Sequence, residues 1–263
     1  MGAALPGDAR GTVSGLQYHD LPDGRRIAHR FIAGRGPALV FLPGYMSDMS
    51  GSKAGAVFGW ARANGRACLL LDYSGCGASS GDFADGTLSR WAEELVALIA
   101  AKCPGPVVLV GSSMGGWLML LVALRMGERI AGLIGIAAAP DFTDWGYDAG
   151  QRAKLARGET MLEDNPYGPE ATPTYPGFWA DGQSHLLLDT AIALACPVRL
   201  IHGQRDTDVP FETSLRLAAA LHSADVQVTL IKDGDHRLSR DDDIALLLRT
   251  VAALAEQVSC QVS

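Results

Sequence analysis

Ser113 lies in the run Val110-Gly111-Ser112-Ser113-Met114-Gly115-Gly116, with a glycine two residues before it and another two residues after. A serine in that G-x-S-x-G spacing can sit on a sharp strand-to-helix turn, because bare flanks remove the side chains that would collide there. Ser112 has Val110 and Met114 at the same offsets, so only Ser113 fits. The context agrees, since the apolar run VVLVG (107–111) precedes it and a long apolar helical stretch follows. The competing reading is a Gly/Ser turn without chemistry.

A serine hydroxyl is a weak nucleophile at neutral pH and needs a base, which in turn needs an orienting acid. On a strand–turn–helix scaffold of this kind the partners follow in the order acid, then histidine, at later strand ends. LIHGQRDTDVP (200–210) places Asp206 and Asp208 just beyond an apolar run, and IKDGDHRLS (231–239) places His236 beyond the last one. His19, His29 and His185 fall in an N-terminal hairpin or in an irregular insertion, His222 at a helix end, and His202 before the acid loop; each reads as structural. Chain order selects His236 and leaves Asp206 against Asp208. A developing oxyanion also needs donors. The backbone N–H of Met114, at a helix start, and that of Tyr45, in the loop FLPGYMSD after an earlier strand, are the candidates, with Gly44 permitting close approach.

The elements that must hold these residues are visible as a rhythm. GLQYHDL and RIAHRFIAG flank a turn at Pro22-Asp23-Gly24-Arg25 and read as a hairpin. ALVFLP (38–43), ACLLLDY (67–73), VVLVG (107–111), IAGLIGIAA (130–138) and VRLIHG (198–203) are nearly continuous apolar runs, as in strands buried on both faces of a parallel sheet. VQVTLIKD (226–233) alternates more and reads as a sixth. Helical patterns lie between them: 53–65, a stretch after the N-cap Thr87, about 114–126, 211–223 and 242–257. Strands alternating with helices predict an α/β fold with a mostly parallel, doubly wound sheet. One domain over residues 1–263 is expected, with a lid insertion at about 140–195. That insertion carries Phe142, Trp145, Tyr147, Tyr167, Tyr175, Phe178 and Trp179. Its aromatics either pack it down or line a pocket; Trp145 and Trp179 are the candidates for substrate contact.

Composition excludes several classes. With 22 basic against 29 acidic residues the net charge is −7, which lacks the basic footprint of a nucleic-acid binder. The five cysteines are an odd number without C-x-x-C or metal-ligand spacing, so reduced thiols and a cytoplasmic location are expected. The N-terminal MGAALPGDARG lacks the apolar core of a signal peptide, and Pro6 stands where a myristoylation motif wants Ser or Thr. Residues 103–124 carry no charge, but Pro104, Pro106 and the glycines at 111, 115 and 116 suit a strand, turn and helix better than a membrane span. No metal or nucleotide cofactor is implied.

Five segments in the same order, FLPGYMSDMSGSKA, LLLDYSGCGASSGDF, LVGSSMGGWLML, RLIHGQRDTDVP and DHRLS, together resemble the serine α/β-hydrolases. They are most similar to the branch of mitochondrial acyl-protein thioesterases and acyl-glucuronide esterases, over about residues 38–255. The resemblance implies the α/β-hydrolase fold, a carboxylic ester or thioester as substrate, and a covalent acyl-enzyme. Its pattern H-G-x-x-D-x-x-V-P selects Asp206 over Asp208. The substrate is then a small molecule or an acylated protein. The insertion matches that family least.

Other motifs compete. Ser50-Gly-Ser-Lys53 formally matches S-x-x-K, but no S-D-N or K-T-G partner accompanies it. The glycine loop 75–81 is one residue too long for G-x-G-x-x-G, and no helix opens from it, which leaves Cys76 a weak candidate for chemistry. Two other functions remain in play. An aminopeptidase-type serine peptidase would use Glu159, Glu163 or Asp164 to receive a charged N-terminus, and a silent binding module would keep only the fold. The serine assignment is directly testable. Ser113→Ala is expected to remove nearly all ester turnover, a loss of several orders of magnitude, while Ser112→Ala retains most of it. Intact-mass labelling with a fluorophosphonate checks this: an adduct on Ser112, or none, overturns it.

Overall fold

The computed structural model describes residues 15–165 and 171–261. The N-terminal stretch read for targeting signals, and Tyr167 of the insertion, lie outside the described residues. A hairpin of β1 (Gln17–Asp20) and β2 (Arg26–Ile32) opens the chain, with the Leu21 N–H donating to Arg25 O across the predicted turn. Alternating elements follow: β3 (Arg35–Leu42), α1 (Ser52–Ala63), β4 (Arg66–Leu71), α2 (Leu88–Lys102), β5 (Val107–Ser112), α3 (Met114–Met126) and β6 (Ile130–Ile136). The insertion holds α4 (Phe142–Trp145), α5 (Ala149–Ala156), β7 (Met161–Glu163), β8 (Thr172–Thr174) and α6 (Pro176–Gln183). The rhythm resumes with β9 (Val198–Gly203), α7 (Glu212–Ala220), β10 (Val226–Ile231) and α8 (Asp241–Gln261).

Eight strands form one sheet in the order β1-β2-β4-β3-β5-β6-β9-β10. The pairs β1/β2 and β2/β4 are antiparallel, and the remaining pairs are parallel. Side chains alternate between two cores, as the two-residue period of a strand dictates. Val40, Leu42, Leu69, Leu71 and Leu109 face α2, α3 and α7, with Trp91 and Trp117 fully buried there. Leu39, Phe41, Cys68, Leu70, Val108 and Val110 face α1 and α8. Each large apolar side chain so buried contributes about 1.5–3 kcal/mol. Edge strand β10 has no such double cover, which explains its alternating sequence.

Thr87 caps α2 as predicted, its hydroxyl accepting from the Arg90 N–H at 3.1 Å. One predicted boundary moves. The run 130–138 stops being strand at Ile136, because Ala137 turns the backbone with φ 44°. The short antiparallel pair β7/β8 inside the insertion has no counterpart in the sequence reading; three residues each are too few to show a period. The uncharged stretch 103–124 resolves into β5 and the 13-residue α3. No helix among the described residues is long and apolar enough to cross a membrane.

The sharp turn between β5 and α3 is a packing solution. A Cβ on Gly115 would lie 2.1 Å from Leu42 O and 2.5 Å from Pro43 O, and one on Gly111 would lie 2.3 Å from Gly115 O. Backbone meets backbone there, and neither can give way. Gly115→Ala is therefore expected to cost about 1–3 kcal/mol in urea unfolding. Gly105→Ala, whose Cβ would meet open space, is the control and stays within about 0.5 kcal/mol.

Candidate active site

The predicted residues meet at the C-terminal edge of the parallel strands, where open α/β sheets bind ligands. Ser113 occupies the turn between β5 and α3 with φ 54° and ψ −121°, a conformation costing of order 1–3 kcal/mol for a non-glycine residue. Its surroundings over-determine it. The Ser113 N–H donates to Ile136 O at 2.9 Å, and Ser113 O accepts from Gly116 N at 2.8 Å and Ala139 N at 3.1 Å. The side chain is thereby lifted off the sheet, half-buried, while Ser112 stays buried.

Ser113 Oγ lies 3.1 Å from His236 Nε2, and His236 Nδ1 lies 2.8 Å from Asp206 Oδ2. Asp206, not Asp208, takes the position against the histidine. Asp208 is exposed and contributes its N–H to Asp206 Oδ1 at 2.9 Å, beside the Val209 N–H at 2.8 Å. Burial would raise the Asp206 carboxyl. Hydrogen bonds from His202 and His236 outweigh it and hold the group well below the usual carboxylate range. The acid thus stays ionised at neutral pH.

The donors expected for an oxyanion border the same space. Met114 is the first residue of α3, and first-turn N–H groups have no intrahelical acceptor. The loop after β3 lies against the serine, since a Cβ on Gly44 would come within 3.3 Å of Ser113 Cβ. Asp72 anchors that loop, accepting from Met49 N at 2.7 Å and, from the glycine loop, Ala78 N at 2.8 Å. The Tyr45 side chain points away to the insertion, donating from its hydroxyl to Pro173 O at 2.9 Å and packing on Phe83 and Phe178.

A cavity of about 680 Å³ opens over Ser113 and His236, within the range of small-molecule sites. Phe142, Trp145 and Tyr147 line it from the insertion, while Ser52, Lys53, Arg237 and Ser239 line the opposite side. Trp145 is half-buried and tethered by an indole N–H bond to Pro140 O at 2.8 Å. Trp179 is the correction. It is not among the lining residues; it donates to Thr143 O at 3.0 Å and packs on the small cluster of Tyr147, Leu155 and Met161. One face of α6 goes to the insertion's own core, which periodicity in an eight-residue helix cannot foretell.

The competing motifs resolve by contact. Ser50 Oγ donates to Asp48 at 2.5 Å, and the Lys53 ammonium donates to Arg237 O, so the two ends of S-x-x-K do not pair. Burial and the nearby Arg237 push the Lys53 ammonium down to about 8. Burial pushes the Cys76 thiol up to about 12, which removes the thiolate that cysteine chemistry requires. Glu163 and Asp164 do line the cavity, whereas Glu159 pairs with Arg157 on the exposed surface. Sequence reasoning missed Asp72 and the contact of His202 with Asp206; a histidine at a strand end four residues before a candidate acid was the available signal.

Residues 39–259 match the family model described as Alpha/beta hydrolase family. The chain belongs to the alpha/beta hydrolase family. This hydrolase is 38% identical over 255 residues to mouse (Mus musculus) mitochondrial palmitoyl-protein thioesterase ABHD10, covering 95% of this chain and 84% of the relative. The solved structure of mouse alpha/beta hydrolase domain-containing protein 10 superposes with a TM-score of 0.87 at 34% identity, covering 94% of this chain and all (100%) of that one. A putative hydrolase from Agrobacterium vitis S4 gives a TM-score of 0.86 at 36% identity, covering 92% and 100%. The names of the mouse relative and of its human, orangutan, rat and bovine counterparts place them in mitochondria, which overturns the cytoplasmic expectation for this hydrolase. Reduced thiols argue only against an oxidising compartment and do not choose among the others.

Because the Asp206 carboxylate meets His236 Nδ1, Asp206→Asn is expected to lower kcat/KM by orders of magnitude, by presenting the wrong tautomer of the histidine. Asp208→Asn keeps its backbone donor and stays within about tenfold. Steady-state ester hydrolysis measures both, and equal losses would refute the distinction.

Proposed function

We propose that this chain hydrolyses carboxylic esters or thioesters with an apolar acyl group, using Ser113 as nucleophile, His236 as base and Asp206 as acid. The observation that carries the reading is the unbroken hydrogen-bond chain from Ser113 through His236 to Asp206 at the floor of the cavity. Ser113 Oγ attacks the acyl carbon as its proton passes to His236 Nε2. The N–H groups of Met114 and Tyr45 receive the developing oxyanion. Collapse expels the alkoxide or thiolate, which takes the proton from His236, and leaves the acyl group on Ser113. Water then attacks that ester with His236 again as base, giving the free acid and restoring the serine.

The apolar character of the acyl group rests on Phe142, Trp145 and Tyr147, and on the relatives named palmitoyl-protein thioesterase. We also assign residues 140–195 to a lid on a single catalytic domain, with the cavity between lid and sheet edge. Acylated proteins and small acyl esters are both admissible substrates. A panel of p-nitrophenyl esters of rising chain length, an acyl thioester and an amino-acyl anilide tests the reading. Turnover of esters or thioesters, rising with chain length, supports it; turnover confined to the anilide turns the site over to a peptidase, with Glu163 and Asp164 at the amine.

The two tryptophans separate pocket from packing. Trp145→Ala is expected to change kcat/KM ratios across the panel by about tenfold or more, with little change in melting temperature. Trp179→Ala gives up about 3–5 kcal/mol of packing at most, lowers the melting temperature and scales all substrates together. Thermal melts beside the panel distinguish the two, and uniform losses for both variants would make Trp145 packing as well.

A further inference from the structure

The Asp206 carboxylate has two histidines on one oxygen. Oδ1 accepts two backbone N–H groups, from Asp208 at 2.9 Å and Val209 at 2.8 Å. Oδ2 lies 2.8 Å from His236 Nδ1 and 3.1 Å from His202 Nε2. His202 is fully buried, four residues back at the end of β9, and the catalytic chemistry described above makes no use of it. Its contacts assign its proton. Nε2 also lies 3.0 Å from Val209 O, so both of its neighbours are acceptors and it must carry the hydrogen. Nδ1 lies 2.7 Å from the buried Ser214 Oγ on α7, whose O–H can then donate to it. A single neutral tautomer satisfies every polar atom in the chain Ser214–His202–Asp206–His236–Ser113.

We propose that His202 is a positioning residue that sets the basicity and orientation of Asp206, with Ser214 holding its tautomer. The proposal rests on the triad reading above. A carboxylate oxygen that shares its lone pairs with a second donor is less basic than one facing His236 alone. His202 therefore limits how tightly Asp206 holds the imidazolium proton, and keeps His236 a competent acid toward the leaving group. It also completes four bonds around the carboxylate, which pin the oxygen that orients the His236 ring. Without that donor, the carboxylate gains basicity and the imidazolium persists to higher pH.

The test is the pH dependence of kcat/KM for a good ester substrate, with active sites counted by fluorophosphonate titration. His202→Leu is expected to move the acidic limb up by about 0.5–1 pH unit and to lower kcat by about tenfold, with KM within about twofold. His202→Gln retains an N–H at similar reach and is expected to return the limb to within about 0.2 unit of the parent. Ser214→Ala frees the tautomer and is expected to shift the limb in the same direction by a smaller amount; it carries the test if His202→Leu does not fold. Groups around the pair are unchanged in all three variants. Asp208 lies on the same loop; Asp235 and Arg237 flank His236; Lys53, Asp48, Glu163 and Asp164 border the cavity; and Glu212 and Arg216 on α7 are exposed. A limb that shifts in His202→Leu or Ser214→Ala and returns in His202→Gln supports the proposal. A limb that does not move in the folded variants overturns it, because a merely structural loss lowers the melting temperature or the titrated active fraction at every pH alike. Retained turnover in Ser113→Ala would instead remove the triad reading, and this proposal with it.

Discussion

One backbone conformation organises this molecule. Ser113 at φ 54° is a strained, non-glycine residue, held by its N–H bond to Ile136 O at the end of β6 and by the Gly116 and Ala139 N–H groups on its carbonyl. Holding it requires β5, α3 and β3 to approach until backbone touches backbone at Gly111 and Gly115. That approach demands a sheet buried on both faces, which accounts for the continuous apolar strands and the nearly uniform apolar α3. The strain, the glycines and the two cores are parts of one constraint.

Around that turn, buried carboxylates do the work of joining loops. Asp72 links the loop after β3 to the glycine loop; a Cβ on Gly77 would fall 2.2 Å from its Oδ2, so that position tolerates no side chain. Asp141, itself at φ 61°, accepts from Leu187 N and Leu188 N and ties the start of the insertion to its end. Burial raises the carboxyls of Asp72 and Asp141, their backbone donors compensating only in part. Asp206 shows the opposite balance because two histidines add to its backbone donors. The same residue type thus fastens loops at two places and holds a permanent charge at the third, and the difference lies in the number and kind of donors.

The insertion joins the sheet through aromatic packing and through Tyr45. Its hydroxyl reaches Pro173 O while its ring packs on Phe142 and Phe178, so the loop proposed to donate to the oxyanion also bears on the insertion. Movement of the insertion would be felt at that loop.

The local signals in the chain were enough for the fold and to single out Ser113 and His236 as candidates. Apolar runs of strand length, separated by helical periods, require a doubly wound sheet, and a G-x-S-x-G between strand and helix admits only Ser113. Chain order likewise leaves His236. These readings rest on backbone geometry and on burial, which act over a few residues and leave a mark in residue type. Where side chains meet across distant segments, no such mark exists. Residues alone left Asp206 and Asp208 open, until family resemblance favoured the first and folding placed its carboxylate on His236. His202 read as structural because nothing in its surroundings announces that Asp206 and Ser214 will bracket it. Trp145 and Trp179 are alike in type and lie in one irregular segment, yet one borders the cavity and the other packs beneath it. Which way each ring turns is set by contacts such as those with Pro140 and Thr143, made only once the chain has closed.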